Sequence, residues 1–191
     1  MKPINSRDQW VWRNLDETWE AEAASIREER DEKFPNLYEV VDTDIRWCGE
    51  LGEMVFNDWL KFEKHVAAQW HLDDPAGNAD FTLPNGTTVG VKTVKRKVEP
   101  RPHYEAQVSR RHADEPVDYY FFLTYQFLTK RMWLLGGMDR ASYLQQARFL
   151  DSGAEVHPNY RIRPGHAIYN LEIGRLTPSH IWLEEAIALS K

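Results

Sequence analysis

Three residues of the kind that metal-assisted phosphate chemistry requires follow one another along this chain: Glu53, Asp80 and Lys92. Phosphodiester hydrolysis asks for hard oxygen ligands around Mg²⁺, hydroxide formed beside the phosphorus, and a cation to offset charge on the phosphorane. Asp80 suits a central metal ligand, Glu53 a second carboxylate, and the Val91 peptide carbonyl a further oxygen. Lys92 suits the cation that steadies the nucleophile or the transition state. Between residues 92 and 113 stand Lys92, Lys95, Arg96, Lys97, Arg101, Arg110 and Arg111 against only Glu99 and Glu105, a local charge of +5 in a protein of net charge −6. Such a segment is a candidate phosphate-contacting stripe.

The elements that must position these groups are readable from local pattern. Residues 80–97 form two short strands joined at Pro84-Asn85-Gly86, where Asn-Gly is a strong hairpin signal. Asp80 opens the first strand, and Lys92 sits inside the apolar run Val89-Gly90-Val91-Lys92-Thr93-Val94. Glu53 belongs to a helix over 44–64, whose apolar face is Trp47, Leu51, Met54, Val55 and Phe62. Glu50, Glu53 and Asn57 share a different face of it. Gly49 and Gly52 weaken that helix by about 1 kcal/mol each, and such a pair points to close approach of another backbone or to tight packing.

Around this centre the chain reads as a mixed α/β domain with a central sheet. A helix over 8–32 precedes it, with Trp12, Leu15, Trp19 and Ile26 as a narrow apolar stripe on an otherwise acidic surface. Pro35 ends that helix, which divides the chain into a helical arm, 1–35, and a main domain, 36–191. The arm either clasps the core or joins a second copy of the chain. Beyond the hairpin the reading is a helix near 104–112, strands over 117–125 and 131–135, and a helix from Asp139 to 148. A loop over 151–165, a strand over 167–173 and a C-terminal helix from Thr177 or Ser179 complete it.

Composition excludes several classes. With 42% hydrophobic and 28% charged residues the chain is that of a soluble globular domain. No apolar run reaches the roughly 20 residues that span a bilayer, and the N-terminus lacks a signal-peptide core. A single Cys, Cys48, excludes an internal disulfide and a multi-Cys zinc site. A cytoplasmic, intracellular location fits these features. The seven His show no paired metal-ligand spacing, and no phosphate-binding Gly loop, nucleophile elbow or dinucleotide fingerprint is present.

Over residues 46–187 the chain resembles the PD-(D/E)XK nuclease superfamily, of restriction-endonuclease-like fold. The resemblance is carried by Gly49-Glu50-Leu51-Gly52-Glu53 on a helix, then Asp80-Phe81, the hairpin and Val89-Gly90-Val91-Lys92-Thr93, then Asp118-Tyr119-Tyr120-Phe121. It implies a Mg²⁺-dependent (or Mn²⁺-dependent) nuclease acting on DNA, and the compact single-domain length suits a phage, mobile-element or restriction-type protein. It also implies metal ligation by Asp80 and Glu53 (or Glu50), catalysis by Lys92, and backbone contacts from Lys95, Arg96, Lys97, Arg110 and Arg111. Gln107 resembles the glutamine that exonuclease-type members carry on the next helix, although the tyrosine that usually follows is Arg111 here. One position departs from the pattern: the second acid, two residues before the lysine, is Gly90. Either another acid (Glu50, Glu53 or Glu105) serves, or the chain is a nuclease-fold protein that binds nucleic acid or a protein without cutting, or position 90 carries a substitution. Taken singly, Asp80 reads as a turn acid, Lys92 as a snorkelling strand residue and Glu53 as a solvated helix residue. The joint order favours the site.

Overall fold

The Asn85-Gly86 turn forms where the sequence places it. In a computed structural model of the chain, which describes residues 5–34, 43–75, 77–157 and 160–188, Gly86 takes φ +85°, a left-handed conformation natural to glycine. The turn joins β3 (Phe81–Thr82) to β4 (Thr88–Arg96), with Phe81 opposite Val89 and Thr82 opposite Thr88. β2 (Gln69–Trp70) adds to the outer edge of β3. On its other side β4 runs parallel to β6 (Tyr119–Gln126), which pairs antiparallel with β7 (Arg131–Asp139). β1 (Val11–Asn14) closes that edge, so the six-stranded mixed sheet has the order β1-β7-β6-β4-β3-β2. A mixed α/β architecture with helices flanking a mixed sheet is therefore established.

Each face of the sheet carries its own core. On one face α2 (Thr43–Asp58) packs Leu51, Val55 and Phe56 on Val89, Val91 and Phe121, with Trp59, Trp182 and α1 (Glu17–Lys33) completing the cluster. Phe56, Trp59, Phe121 and Trp182 lie with ring centroids 4.7–5.9 Å apart, within the range where aromatic pairs add about 0.5–1.5 kcal/mol beyond burial. On the opposite face Tyr120, Phe122, Trp133 and Leu135 meet a second, three-stranded sheet. That sheet has the order β5-β11-β8, built from β5 (Glu105–Ser109), β8 (Arg148–Leu150) and β11 (Ile168–Glu172). The helices α3 (Arg110–Ala113), α4 (Arg140–Gln146) and α5 (Ser179–Ala188) complete the chain. Asp139 caps α4 by accepting from Ser142 N at 2.8 Å.

Several sequence expectations need correction. Residues 104–112 are mostly strand: Ala106 and Val108 are buried and Gln107 between them is exposed, a period of two that overrides the helical reading. Gln107 therefore lies on β5 opposite Asn170, not on a helix. The N-terminal helix begins at Glu17, and Trp12 sits in β1 opposite Trp133. The strand expected to stop at Leu135 runs through Gly136-Gly137 to Asp139, with a register shift and a bridge from Gly137 to Thr177. Part of the loop over 151–165 pairs as β9 (Glu155–His157) with β10 (Tyr160–Arg161). The strand over 167–173 joins the small sheet rather than the central one. Pro35 and the boundary at 35/36 lie outside the described residues. Among those described, no helix is long and apolar enough to cross a membrane.

The two glycines of α2 differ in kind. A Cβ at Gly52 would collide with the Thr93 side chain of β4, whereas a Cβ at Gly49 would meet nothing within 4 Å. Gly52→Ala is expected to cost about 1–3 kcal/mol by overpacking, while Gly49→Ala gains about 0.5–1 kcal/mol of helix stability. Urea unfolding of the two variants checks the contrast. Equal effects would contradict the packing assigned to Gly52.

Candidate functional site

Lys92 is in the middle of β4, and strand alternation turns it to the face opposite α2. Its side chain is 11% exposed and its ammonium lies 2.8 Å from Glu115 Oε2 and 3.8 Å from Asp80 Oδ2. Burial works against the charge on Lys92, but Asp80 and Glu115 outweigh it and raise its pKa. The lysine therefore stays protonated. It is buried and does not snorkel to solvent.

Asp80 is positioned by the hairpin. Its N–H donates to Val89 O at 3.0 Å, and the N–H of Val91 donates to its Oδ2 at 2.7 Å. In an extended strand the N–H and C=O of one residue leave the same edge, so the Val91 carbonyl faces the Asp80 side of β4. Asp118, at the start of the parallel pair, locks the neighbouring end by accepting from Thr88 N and Thr88 Oγ1, both at 2.8 Å.

Glu53 reaches the region from α2 and is buried, 6% exposed, not solvated. It accepts from Trp70 Nε1 at 2.9 Å and from Arg30 Nη1 at 3.3 Å. Burial, and then the charge of Asp80, push its carboxyl up to about 8 despite Arg30. Asp80 thus acts on the Glu53 carboxyl as a nearby negative charge. Glu50, one turn earlier and 2% exposed, accepts from Arg27 Nη1 at 2.9 Å and Arg30 Nη1 at 3.1 Å. Arg30 also donates to Leu72 O at 3.1 Å and His71 O at 3.2 Å, tying α1 and the approach to β3 to the acids of α2. Burial opposes the guanidinium charge, yet Glu53 and Glu50 prevail and raise its pKa.

The structure thus brings Asp80, Val91 and Lys92 together, while Glu53 stands on the α2 side of the strand. It also adds two residues that sequence reasoning missed, Glu115 and Arg30. Neither has a sequence spacing that marks it. The faint signal for Glu115 is an acid beside Asp114 that breaks a basic stretch just before Pro116. Glu105 is elsewhere: it faces Arg148 at 3.7 Å and lines a cleft with Glu172 and Arg175.

The basic stripe divides. Lys95 lies over the rings of Trp47 and Phe127 on the α2 face, both at 5.1 Å. Arg96 lies over Tyr104 at 5.1 Å on the other face and donates to Glu105 O, while Lys97 is exposed. Arg110 and Arg111 stand apart from these three. With His112 and His166 they line a cleft of about 420 Å³, and His112 Nε2 is 3.9 Å from Glu115 Oε1. The cleft therefore opens beside the Lys92–Glu115 pair.

The donor set was tested against a hard divalent cation. Among the described residues no three His, Cys, Asp or Glu side chains gather closely enough to hold a metal by themselves. Mg²⁺ commonly takes one or two carboxylates and fills its remaining positions with water and substrate phosphate. Asp80 and Glu53 supply such a pair in oxygen-only chemistry, and Glu50 Oε2 is buried with no hydrogen-bond partner among the described residues. The residues fit. Neither a protein-family model nor a curated protein sequence matches the chain.

The raised carboxyl of Glu53 sets a pH dependence. The folded chain holds this proton up to about pH 8, whereas an ordinary glutamate releases it near 4.5. The folded state then binds more protons across that window, so stability falls as pH rises through it. Thermal unfolding in a chelator between pH 4.5 and 8 is expected to fall more steeply for the wild type than for Glu53→Gln. Parallel profiles would contradict the buried, protonated state.

Proposed function

We propose that the chain is a Mg²⁺-dependent nuclease of restriction-endonuclease-like fold that hydrolyses phosphodiester bonds in DNA. The observation that carries this reading is the Lys92 ammonium, buried and held charged beside Asp80, with the Glu53 carboxyl in the same field. A helix acid, an acid at the start of a hairpin and a lysine inside its second strand follow in chain order, and the last two meet at 3.8 Å. This is also the order the sequence resemblance implies.

Asp80, Glu53 and the Val91 carbonyl would hold the cation, which supplies Lewis acidity toward the phosphoryl oxygen and lowers the pKa of water. Lys92, being protonated, offsets the charge that grows on the phosphorane; it does not remove a proton. Asp80 is oriented for its task by the Val91 N–H. Glu53 must give up its proton to act as a ligand, and the Trp70 and Arg30 donors favour its charged form. Arg110 and Arg111, which line the cleft with His112, would contact phosphates flanking the scissile bond. Lys97, exposed beyond the end of the strand, would offer a further cation to the backbone.

Gly90 supports a second reading, in which the same fold binds DNA or a protein partner without cutting. Incubation with linear and circular DNA and Mg²⁺ or Mn²⁺ separates the two. Cleavage is expected, with Asp80→Ala and Lys92→Ala each lowering the rate by about 10²-fold or more. Cleavage indifferent to both substitutions would overturn the assignment. DNA binding without cleavage by metal-supplied wild type would favour the second reading.

A further inference from the structure

We propose that the cleft on the small sheet, with a polar lining of Glu105, Gln146, Arg148, Asn170, Glu172 and Arg175, is a guanine-binding site. The cleft holds about 380 Å³, within the range of small-molecule sites. Ala106, Val108 and Leu171 pack toward the central sheet. Their strand neighbours Glu105, Asn170 and Glu172 therefore turn to the opposite face. Arg148 stands opposite Asn170, and Glu105 opposite Glu172. Directly opposed residues share a face, with Cβ atoms about 4.5–5.5 Å apart.

Two features of this face destabilise the fold as it stands. Asn170 is 3% exposed, and its Oδ1 is buried with no hydrogen-bond partner among the described residues. Such an acceptor costs about 1–3 kcal/mol, and a donor arriving in the cleft would remove that cost. Glu105 and Glu172 set like charges directly across paired strands, which is also unfavourable. Burial, and then the Glu172 charge, raise the Glu105 carboxyl despite Arg148. Arg148 meets Glu105 only at 3.7 Å and is 58% exposed, while Arg175 is steadied by Gln146 Oε1 at 2.9 Å. Two Arg and two Glu leave the lining without net charge, so it suits a neutral ligand carrying donors and acceptors side by side. The guanine edge has that pattern. Its N1–H and N2–H₂ offer adjacent donors to a carboxylate and to the Asn170 carboxamide, and its O6 and N7 accept from an Arg fork. Adenine and cytosine lack the second adjacent donor, and thymine has no amino group.

The choice of a nucleobase among such ligands rests on the nuclease reading. Arg96, four residues beyond Lys92 on β4, donates to Glu105 O at 2.9 Å. The cleft thus lies at that end of β4, roughly 13 Å along the strand from Lys92. Calorimetry with dGMP, dIMP, dAMP, dCMP and dTMP tests the site in the intact chain. Tightest binding is expected for dGMP, with dIMP, which lacks only the N2 amine, at least about five-fold weaker. Asn170→Leu and Glu105→Gln are each expected to weaken dGMP about ten-fold. Asn170→Leu is also expected to leave the unfolding midpoint of the ligand-free chain unchanged or higher, because it removes an unpaired acceptor. A single-stranded oligonucleotide with one guanine, against its inosine counterpart, identifies the source. Loss of affinity on inosine substitution assigns the site to a base of the bound strand, and dGMP binding alone assigns it to a free nucleotide. Equal affinity for dGMP and dAMP, or dGMP binding indifferent to both substitutions, overturns the inference. DNA cleavage that persists in that case leaves the nuclease reading standing. Selective dGMP binding by a chain that cleaves no DNA keeps the site and overturns the nuclease reading.

Discussion

A lysine ammonium placed inside a sheet must be met by negative charge, and this requirement organises the centre of the molecule. Lys92 is carried by β4 onto a covered face of the sheet, where its side chain is only 11% exposed. A buried charge without a partner costs several kcal/mol. The hairpin end and the turn after α3 must therefore deliver carboxylates to it, and they do so with Asp80 and Glu115. Removing either acid would weaken the reason for the other elements to converge. In the proposed chemistry the same charge would offset negative charge developing on a phosphorane, so the demand of folding and that of the chemistry fall on one atom.

A second group of charges lies on the other side of the strand and is balanced differently. Glu50 and Glu53 are buried on α2, and their compensation comes from Arg27 and Arg30 of α1. α2 can approach β4 this closely because Gly52 leaves room for Thr93. The N-terminal helix is thus more than a clasp on the core. Arg30 joins α1, α2 and the carbonyls before β3, so the position of Glu53 relative to Asp80 depends on a segment that the nuclease resemblance does not cover.

What the sequence made legible is what short-range rules determine. The Asn85-Gly86 turn, the Asp139 cap, the amphipathic α2 and the burial of the aromatic strand each follow from residues within a few positions of one another. The grouping of Glu53, Asp80 and Lys92 followed from their order on such elements. Glu115 and Arg30 could not be read the same way, because their partners lie 23 and 20–23 residues away and are chosen by packing. β5 was legible in principle from buried Ala106 and Val108 around exposed Gln107, but the cations around it imitate a solvated helix. The close approach at Gly136-Gly137 answers to Thr177, about forty residues downstream in the chain, which no local pattern announces.

The central claim is that Asp80, beside the charged Lys92, belongs to a divalent-cation site. Diffraction from crystals grown with Mn²⁺ and a short DNA duplex, recorded for anomalous scattering, tests it most directly. The account predicts one anomalous peak in bonding contact with an Asp80 carboxylate oxygen, at about 2.0–2.3 Å as hard divalent cations require. A peak bound elsewhere, or a well-ordered Asp80–Lys92 region with no metal beside it, would contradict the account.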